Sequence, residues 1–351
     1  MRSIENQEQL DDLLEQAEIK TGISIAAEEM KEEVHESLRG QIDNKPAIRI
    51  IFRRMAIVAA SSVAVFFTIL YINDYPLYKK QMLARVESNI DMENVTEVSI
   101  VSGKIRKEIA NGNEITNTKK GDILIGGVQA ISTDDLVEDN ISIVIPKGKR
   151  AFVQLCEGTK IWLNSGSKLL YPKDFGWRSR NIYIDGEMYI EVSRNEKKPF
   201  HVHTNLMTIN VLGTKFSINT YKNEAVNHVV LTEGSIEVER GENTIQLTPG
   251  QGYFINGVTE QVKKADVYSY TCWKDGKMKL IDETFDVLIE KLSRYYGVKV
   301  EMDTALNSLR FDGNLNLGNS IEEVISILSL SHNFQFKKRD GVIEINVKQV
   351  K

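Results

Sequence analysis

The sequence predicts a mainly β protein with helical segments toward its two ends. Three observations carry that prediction. Short alternating runs punctuated by glycine fill the middle of the chain, a single uncharged apolar run precedes them, and helical periodicity returns only after about residue 268. The parts expected are a short helical tail (1–54), one transmembrane helix (55–73), a connector with β-strands (74–140), an all-β domain of stacked hairpins (141–260) and a small α+β domain (268–351).

The tail is set apart by charge. The chain has 351 residues, 42% of them hydrophobic, and a net charge of −5, a composition that excludes collagenous and disordered classes. Residues 1–43 hold twelve acids and four bases, a net of −8, Lys45, Arg49, Arg53 and Arg54 follow, and everything beyond sums to −1. A strongly basic nucleic-acid-binding body is therefore excluded. Two amphipathic stretches occupy the tail: Leu10, Leu13, Leu14 and Ala17 in the first, Met30, Val34, Leu38 and Ile42 in the second, with a break at Thr21-Gly22. Helices this short do not bury enough apolar surface to stand alone. They suit either a solvated tail or a helix-in-groove module in which Leu10, Leu13, Leu14, Met30, Val34 and Leu38 dock a basic cytoplasmic partner.

The next element runs from Met55 to Ile72 without a charge. Eighteen helical residues rise about 27 Å, close to the hydrocarbon thickness of a bilayer. The run is apolar on every face and begins far from the N-terminus, so it reads as a permanent span rather than a cleaved signal. Lys45, Arg49, Arg53 and Arg54 flank one side of it and Lys79, Lys80 and Arg85 follow the other, and the closest charges, Arg53 and Arg54 against Asp74, favour an N-terminus inside. Two cysteines, Cys156 and Cys272, match no metal-ligand spacing and read as separate thiols.

In the middle of the chain, strands are expected at Ser142–Ile145, Ala151–Leu155, Lys160–Leu163, Asn181–Ile184, Met188–Val192, Phe200–His203, Met207–Val211, Phe216–Asn219, His228–Leu231, Ser235–Val238 and Thr244–Leu247. Turn signals stand between them at Glu157-Gly158, Asn164-Ser165-Gly166, Asp185-Gly186, Glu233-Gly234 and Pro249-Gly250. A sandwich, a jelly roll or a short solenoid would accommodate this spacing. His201 and His203 fall on one face of a strand, with His228 as a third potential metal ligand, but a strand histidine is more often packed. No nucleophile–base–orienter set, paired carboxylates or phosphate loop is present, so no enzyme, metal or cofactor is expected.

The strings EGTKIWLNSGSKLLYP (Glu157–Pro172), DGEMYIEV (Asp185–Val192), KPFHVHT (Lys198–Thr204), VLGTKFSINTY (Val211–Tyr221), LTEGSIEV (Leu231–Val238) and LTPGQG (Leu247–Gly252) resemble, in order, the signature segments of the FecR family. That family comprises single-pass anti-sigma factors of the Gram-negative envelope. The resemblance implies a tail that holds an ECF-type sigma factor in the cytoplasm. It also implies a periplasmic part that meets the signalling domain of an outer-membrane TonB-dependent transducer for an iron chelate or glycan, with release by regulated proteolysis. It further draws attention to Gly213-Thr214, where some similar proteins self-cleave by attack of the threonine hydroxyl on the glycine carbonyl. A structural glycine beside a β-branched residue explains the same pair.

After residue 268, a hairpin at Trp273–Gly276 is expected to lead into a helix with Phe285, Leu288, Ile289, Leu292 and Tyr296 on one face, capped by Asp282 or Thr284 and stopped by Gly297. Val298–Met302 and Leu309–Leu315 read as strands, Ser320-Ile321-Glu322-Glu323 as a capping box, and Phe334–Lys337 and Val342–Val347 as a closing hairpin. The order β-α-β-β-α-β-β resembles the C-terminal domain of FecR-family proteins, itself similar to the short signalling domain of secretins and TonB-dependent transducers. A competing reading from a different class is a membrane-anchored glycan- or peptidoglycan-binding module with Trp162, Trp177, Tyr183 and Tyr189 as stacking faces.

Overall fold

The computed structural model describes residues 30–31 and 95–348, apart from 111, 137, 177 and 178. Met30 is helical and exposed. The other tail positions, Leu10, Leu13, Leu14, Val34 and Leu38, lie outside the described residues, as does the run from Met55 to Ile72. Among the described residues, no helix is long and apolar enough to cross a membrane.

Alternation of apolar and polar residues, broken by glycine, produces a β body of two long sheets. Its strands are β1 (Val98–Ser102), β2 (Ile105–Ile109), β3 (Glu114–Asn117), β4 (Ile123–Ile125), β5 (Val128–Ile131), β6 (Asn140–Val144), β7 (Ala151–Gln154), β8 (Lys160–Leu163), β9 (Lys168–Pro172) and β10 (Arg180–Asp185). They continue with β11 (Glu187–Glu191), β12 (Phe200–His203), β13 (Thr208–Val211), β14 (Lys215–Asn219), β15 (Val226–Glu233), β16 (Ile236–Arg240), β17 (Asn243–Leu247), β18 (Gln251–Asn256) and β19 (Thr259–Lys264). One sheet runs β17-β16-β13-β12-β10-β9-β6-β1-β2 and the other β19-β18-β15-β14-β11-β8-β7-β3-β4-β5. From β12 onward the chain lays down one hairpin in the first sheet, then one in the second, and repeats. The inner faces meet in a single core that includes Ile100, Ile143, Ile161, Leu169, Ile182, Ile190, Phe200, Phe216 and Val229.

Several of the expected hairpin turns are instead corners where the chain changes sheets. Gly186 leads from β10 in one sheet to β11 in the other, with φ +122° and an added Cβ only 2.5 Å from Ser167 Oγ. Only glycine accommodates both the conformation and the approach. Gly166, Gly234 and Gly250 stand at comparable corners.

The segment read as a connector differs from that reading. Strands β1 to β5 belong to the same two sheets, with β1 paired to β6 and β3 paired in parallel to β7. The body therefore begins at about residue 95.

Arg180, at the start of β10, is 2% exposed. Its guanidinium donates to Glu157 Oε1 (3.3 Å) and to the carbonyls of Ser193 (2.7 Å) and Asn195 (3.2 Å), and its Nε donates to that of Lys198 (2.8 Å). One buried cation thus ties down the 193–198 loop, and burial lowers its pKa, opposed by Glu157. A planar fork of five donors spread over three nitrogens suits acceptors on several sides, whereas lysine carries only three donors on one nitrogen.

The C-terminal module has its own core. After α1 (Val267–Thr271) and a 3₁₀ turn (Cys272–Asp275) come β20 (Lys277–Thr284), α2 (Phe285–Tyr296), β21 (Val300–Met302), β22 (Arg310–Asn316), α3 (Ile321–Ser329), β23 (Phe334–Arg339) and β24 (Val342–Val347). The expected hairpin at Trp273–Gly276 is this 3₁₀ turn. Cys272 and Trp273 are buried, Gly276 is left-handed, and β20 pairs with β22 instead. Thr284 is the N-cap of α2, and Gly297 follows it at φ +68°. The Ser320 side chain accepts from the Glu323 N–H (3.3 Å), and Glu323 accepts from the Ser320 N–H (2.9 Å), completing the capping box of α3. Both apolar helix faces cover Leu280, Phe311, Phe334, Ile343 and Ile345.

Strands β1 to β5 contribute Val98, Ile100, Ile109, Ile115, Ile123 and Ile131 to the body core. At roughly 1.5–3 kcal/mol per buried side chain, an upper estimate, their loss is comparable with a domain's entire net stability. A chain shortened to begin at residue 141 is therefore expected to lack the cooperative thermal transition shown by one beginning at residue 95. Equal transitions by circular dichroism would refute that view of the first five strands.

Candidate functional site

Body and module meet where α2 ends. The last carbonyls of a helix lack partners within it, and here the body supplies them. The Gly148 N–H donates to the Arg294 carbonyl (2.9 Å), and Arg150 Nη1 donates to the Tyr295 carbonyl (3.1 Å) while its guanidinium lies 3.8 Å from the Tyr295 ring centroid. A cation at this end also complements the helix dipole. The backbones come unusually close. A Cβ on Gly148 would lie 2.9 Å from the Tyr296 carbonyl oxygen, and one on Gly297 would lie 2.9 Å from that of Lys147.

Beside this cap, Arg294 pairs with Glu224, both side chains being about nine-tenths buried, and its guanidinium lies 3.9 Å from the Tyr221 ring centroid. The Tyr221 hydroxyl donates to the Ser165 carbonyl (2.6 Å). Asn164 Nδ2 donates to Glu187 Oε2 (2.7 Å). Glu187 is partly exposed as a residue, but its carboxyl is closely surrounded by protein, and the carboxyl is the group that titrates. Burial, then the neighbouring charge of Glu224, pushes its pKa up to about 7, against the pull of Arg294, Asn164 and Lys291. The Arg294 guanidinium thus pairs with Glu224 and also acts electrostatically on Glu187. A short distance away, burial and Lys291 hold His228 down to about 3, so its ring is neutral, packed edge-on to Tyr270 at 4.7 Å.

Sequence reasoning missed this joint. Its traces were Gly148 within Pro146-Lys147-Gly148-Lys149-Arg150 and Arg294 in the last turn of an amphipathic helix, and neither reveals a partner 146 positions away in the chain. The site is built to hold two bodies together, and no nucleophile–base arrangement accompanies it.

The histidines read as potential ligands do not converge. His203 is buried with its ring nitrogens at Asn181 Oδ1 (3.0 Å) and Thr208 Oγ1 (3.2 Å), and His201 Nδ1 lies 2.7 Å from Asn210 Oδ1. His228 stands on β15, in the opposite sheet. The aromatic residues read as stacking faces fare likewise. Tyr183 and Tyr189 are buried, Tyr183 stacks on His203, and Trp162 packs on Phe152 and Tyr189. Trp177 lies outside the described residues. Both cysteines are free thiols, Cys272 being buried.

Gly213 and Thr214 lie between β13 and β14. A Cβ on Gly213 would come within 2.5 Å of Arg194 Cα, and the Thr214 hydroxyl donates to the Ser235 carbonyl (2.9 Å). Close packing therefore accounts for the glycine, and the hydroxyl proton is already engaged. The full-length protein is expected to run as one band on a denaturing gel. A fragment ending at Gly213 would show instead that the hydroxyl attacks its neighbour. At the joint, Arg294→Ala leaves Glu224 buried without its partner and is expected to loosen the attachment of the body to the module, read as faster amide hydrogen exchange at Gly148, whose N–H donates to the Arg294 carbonyl. An unchanged exchange rate would contradict the ion pair's role.

The sequence model of the family described as FecR protein matches residues 141–237, and that described as FecR, C-terminal, matches residues 277–345. None of the curated proteins matches the chain. Two crystal structures of a candidate anti-sigma factor from Parabacteroides distasonis ATCC 8503, at 2.50 and 1.65 Å resolution, are similar to it. Each is 25% identical and covers 60% of this chain, with TM-scores of 0.56 and 0.55 over 100% and 99% of the solved chains. With a body and a C-terminal module that match the two family descriptions in order, the chain belongs to the FecR family.

Proposed function

We propose that this protein is an anti-sigma factor of the inner membrane, with its tail in the cytoplasm and its β body and C-terminal module in the periplasm. The observation that carries the reading is the pairing of the two FecR regions on one chain, together with the likeness to the candidate anti-sigma factor of Parabacteroides distasonis. The apolar run from Met55 to Ile72 is the proposed span. The acidic tail is the proposed sigma-binding element, its apolar positions Leu10, Leu13, Leu14, Met30, Val34 and Leu38 facing an ECF-type sigma factor.

The module is the proposed receiver of the periplasmic signal. Its two sheets, β20-β22 and β21-β24-β23, leave strand edges unpaired within the described residues. An open edge supports addition of a strand from the signalling domain of a TonB-dependent transducer. Release of the sigma factor by regulated proteolysis completes the proposal, supported by the small residues Ala59-Ala60-Ser61-Ser62 within the span. The competing stacking-face reading loses support because Tyr183 and Tyr189 are core residues.

Residues 1–54 are expected to co-purify with a sigma factor from the same cells and to lower transcription from its promoter, and Leu13→Asp with Leu38→Asp should abolish both effects. A tail that retains no sigma factor and leaves transcription unchanged would overturn the reading.

A further inference from the structure

The module is attached to the body at two places with open space between. The first attachment is covalent. Residues Val267–Asp275 stay with the body: Tyr270 packs on His228 and Phe254, and Lys274 lies over the rings of Trp162 and Tyr189. The module's own strand begins just after Gly276, which has φ +69° and no atom within 4 Å of an added Cβ. The second attachment is the polar joint at the end of α2, formed by Gly148, Arg150, Glu224 and Arg294. Between them lies a cleft of about 700 Å³, with Asn219, His228 and Phe254 on the body side and Lys279, Glu283 and Lys291 on the module side.

The two hydrophobic cores share no residue. A permanent interface between domains is normally large and apolar, whereas polar and incomplete ones permit motion. This one consists of capped carbonyls, two arginines stacked on tyrosines and two ion pairs, Arg294 with Glu224 at the joint and Lys279 with Asp266 beside Gly276. Arg294 is bordered by Glu187 as well as Glu224, so the closed joint keeps a second carboxylate, itself raised by burial and by Glu224, in a crowded place. Across the joint Glu187 also feels the charge of Lys291, and on the body side the groups near it include Tyr221 and Cys272.

We infer that the C-terminal module is a reversible latch: closed by the body's capping of the α2 C-terminus, and opened by a swing about Gly276 that parts the cleft while both cores stay folded. The inference rests on the geometry of the joint and is independent of which partner the tail or the module meets.

The test is a distance distribution. Spin labels on Val258→Cys in the body and Leu330→Cys in the module, positions 97% and 84% exposed, are placed in the full-length chain in detergent micelles, with Cys156→Ser removing the partly exposed native thiol. Pulsed electron resonance is expected to give one main distance and a minor longer one. Arg294→Ala should raise the longer population about tenfold or more, the equivalent of losing roughly 1.4 kcal/mol of closure. Gly148→Ala should do likewise by wedging the backbones apart, and Arg294→Lys should fall between. Near-ultraviolet dichroism should show both cores intact in each variant. A single unchanged distance in both Arg294→Ala and Gly148→Ala would overturn the latch. So would opening that occurs only with loss of the module's own fold, which would make the joint part of its stability.

Discussion

A helix that ends in folded protein must find donors for its last carbonyls, and the placement of the module follows from how α2 meets that requirement. Gly297 turns the chain away from the helix, and the body provides Gly148 and Arg150 to the exposed carbonyl ends. Because the donors lie on the loop between β6 and β7, the helix must come down on that loop. Because backbone meets backbone there, both contacting positions must be glycine. Arg294 then reaches into the body and takes Glu224 and Tyr221 as partners, which fixes the rotation of the helix about its axis.

The body makes such a loop available because its construction is repetitive. Successive hairpins alternate between two sheets, so corners accumulate along the sides of the stack; the segments around Gly148 and Ser165 are two of them, and Glu224 stands on the hairpin loop between β14 and β15. The core between the sheets is continuous and apolar, while the joint is polar and local. An apolar core unfolds cooperatively, but a few hydrogen bonds and one buried ion pair can break and reform without disturbing it. That contrast gives the module a means of changing its relation to the body while each remains intact.

Much of the fold was legible in the sequence. Strands with clean alternation, such as Lys160–Leu163, Phe200–His203 and Val342–Val347, stand where the pattern placed them, as do both helices of the module and the Ser320 capping box. The failures have physical causes. Lys168–Pro172 is buried at every position and Thr259–Lys264 exposed at every position, so neither alternates. The glycine-bearing turn signals were real, but a local signal does not say whether the next strand pairs with the last one or crosses to the facing sheet. Arg180, whose partners are mostly loop carbonyls, and the joint at Arg294 were not legible, because their partners are assembled by topology rather than by spacing.

Taken together, the proposed function and the proposed latch make one claim about the two ends of the chain: that the state of the joint beyond the proposed membrane span sets the availability of a sigma factor at the tail. The most direct measurement is sigma-dependent transcription in cells whose only copy carries Gly148→Val, compared with and without the outside signal. The account predicts the same output in both conditions, because a side chain at that position keeps the joint from closing. Output that still follows the signal as in the unaltered chain would contradict it.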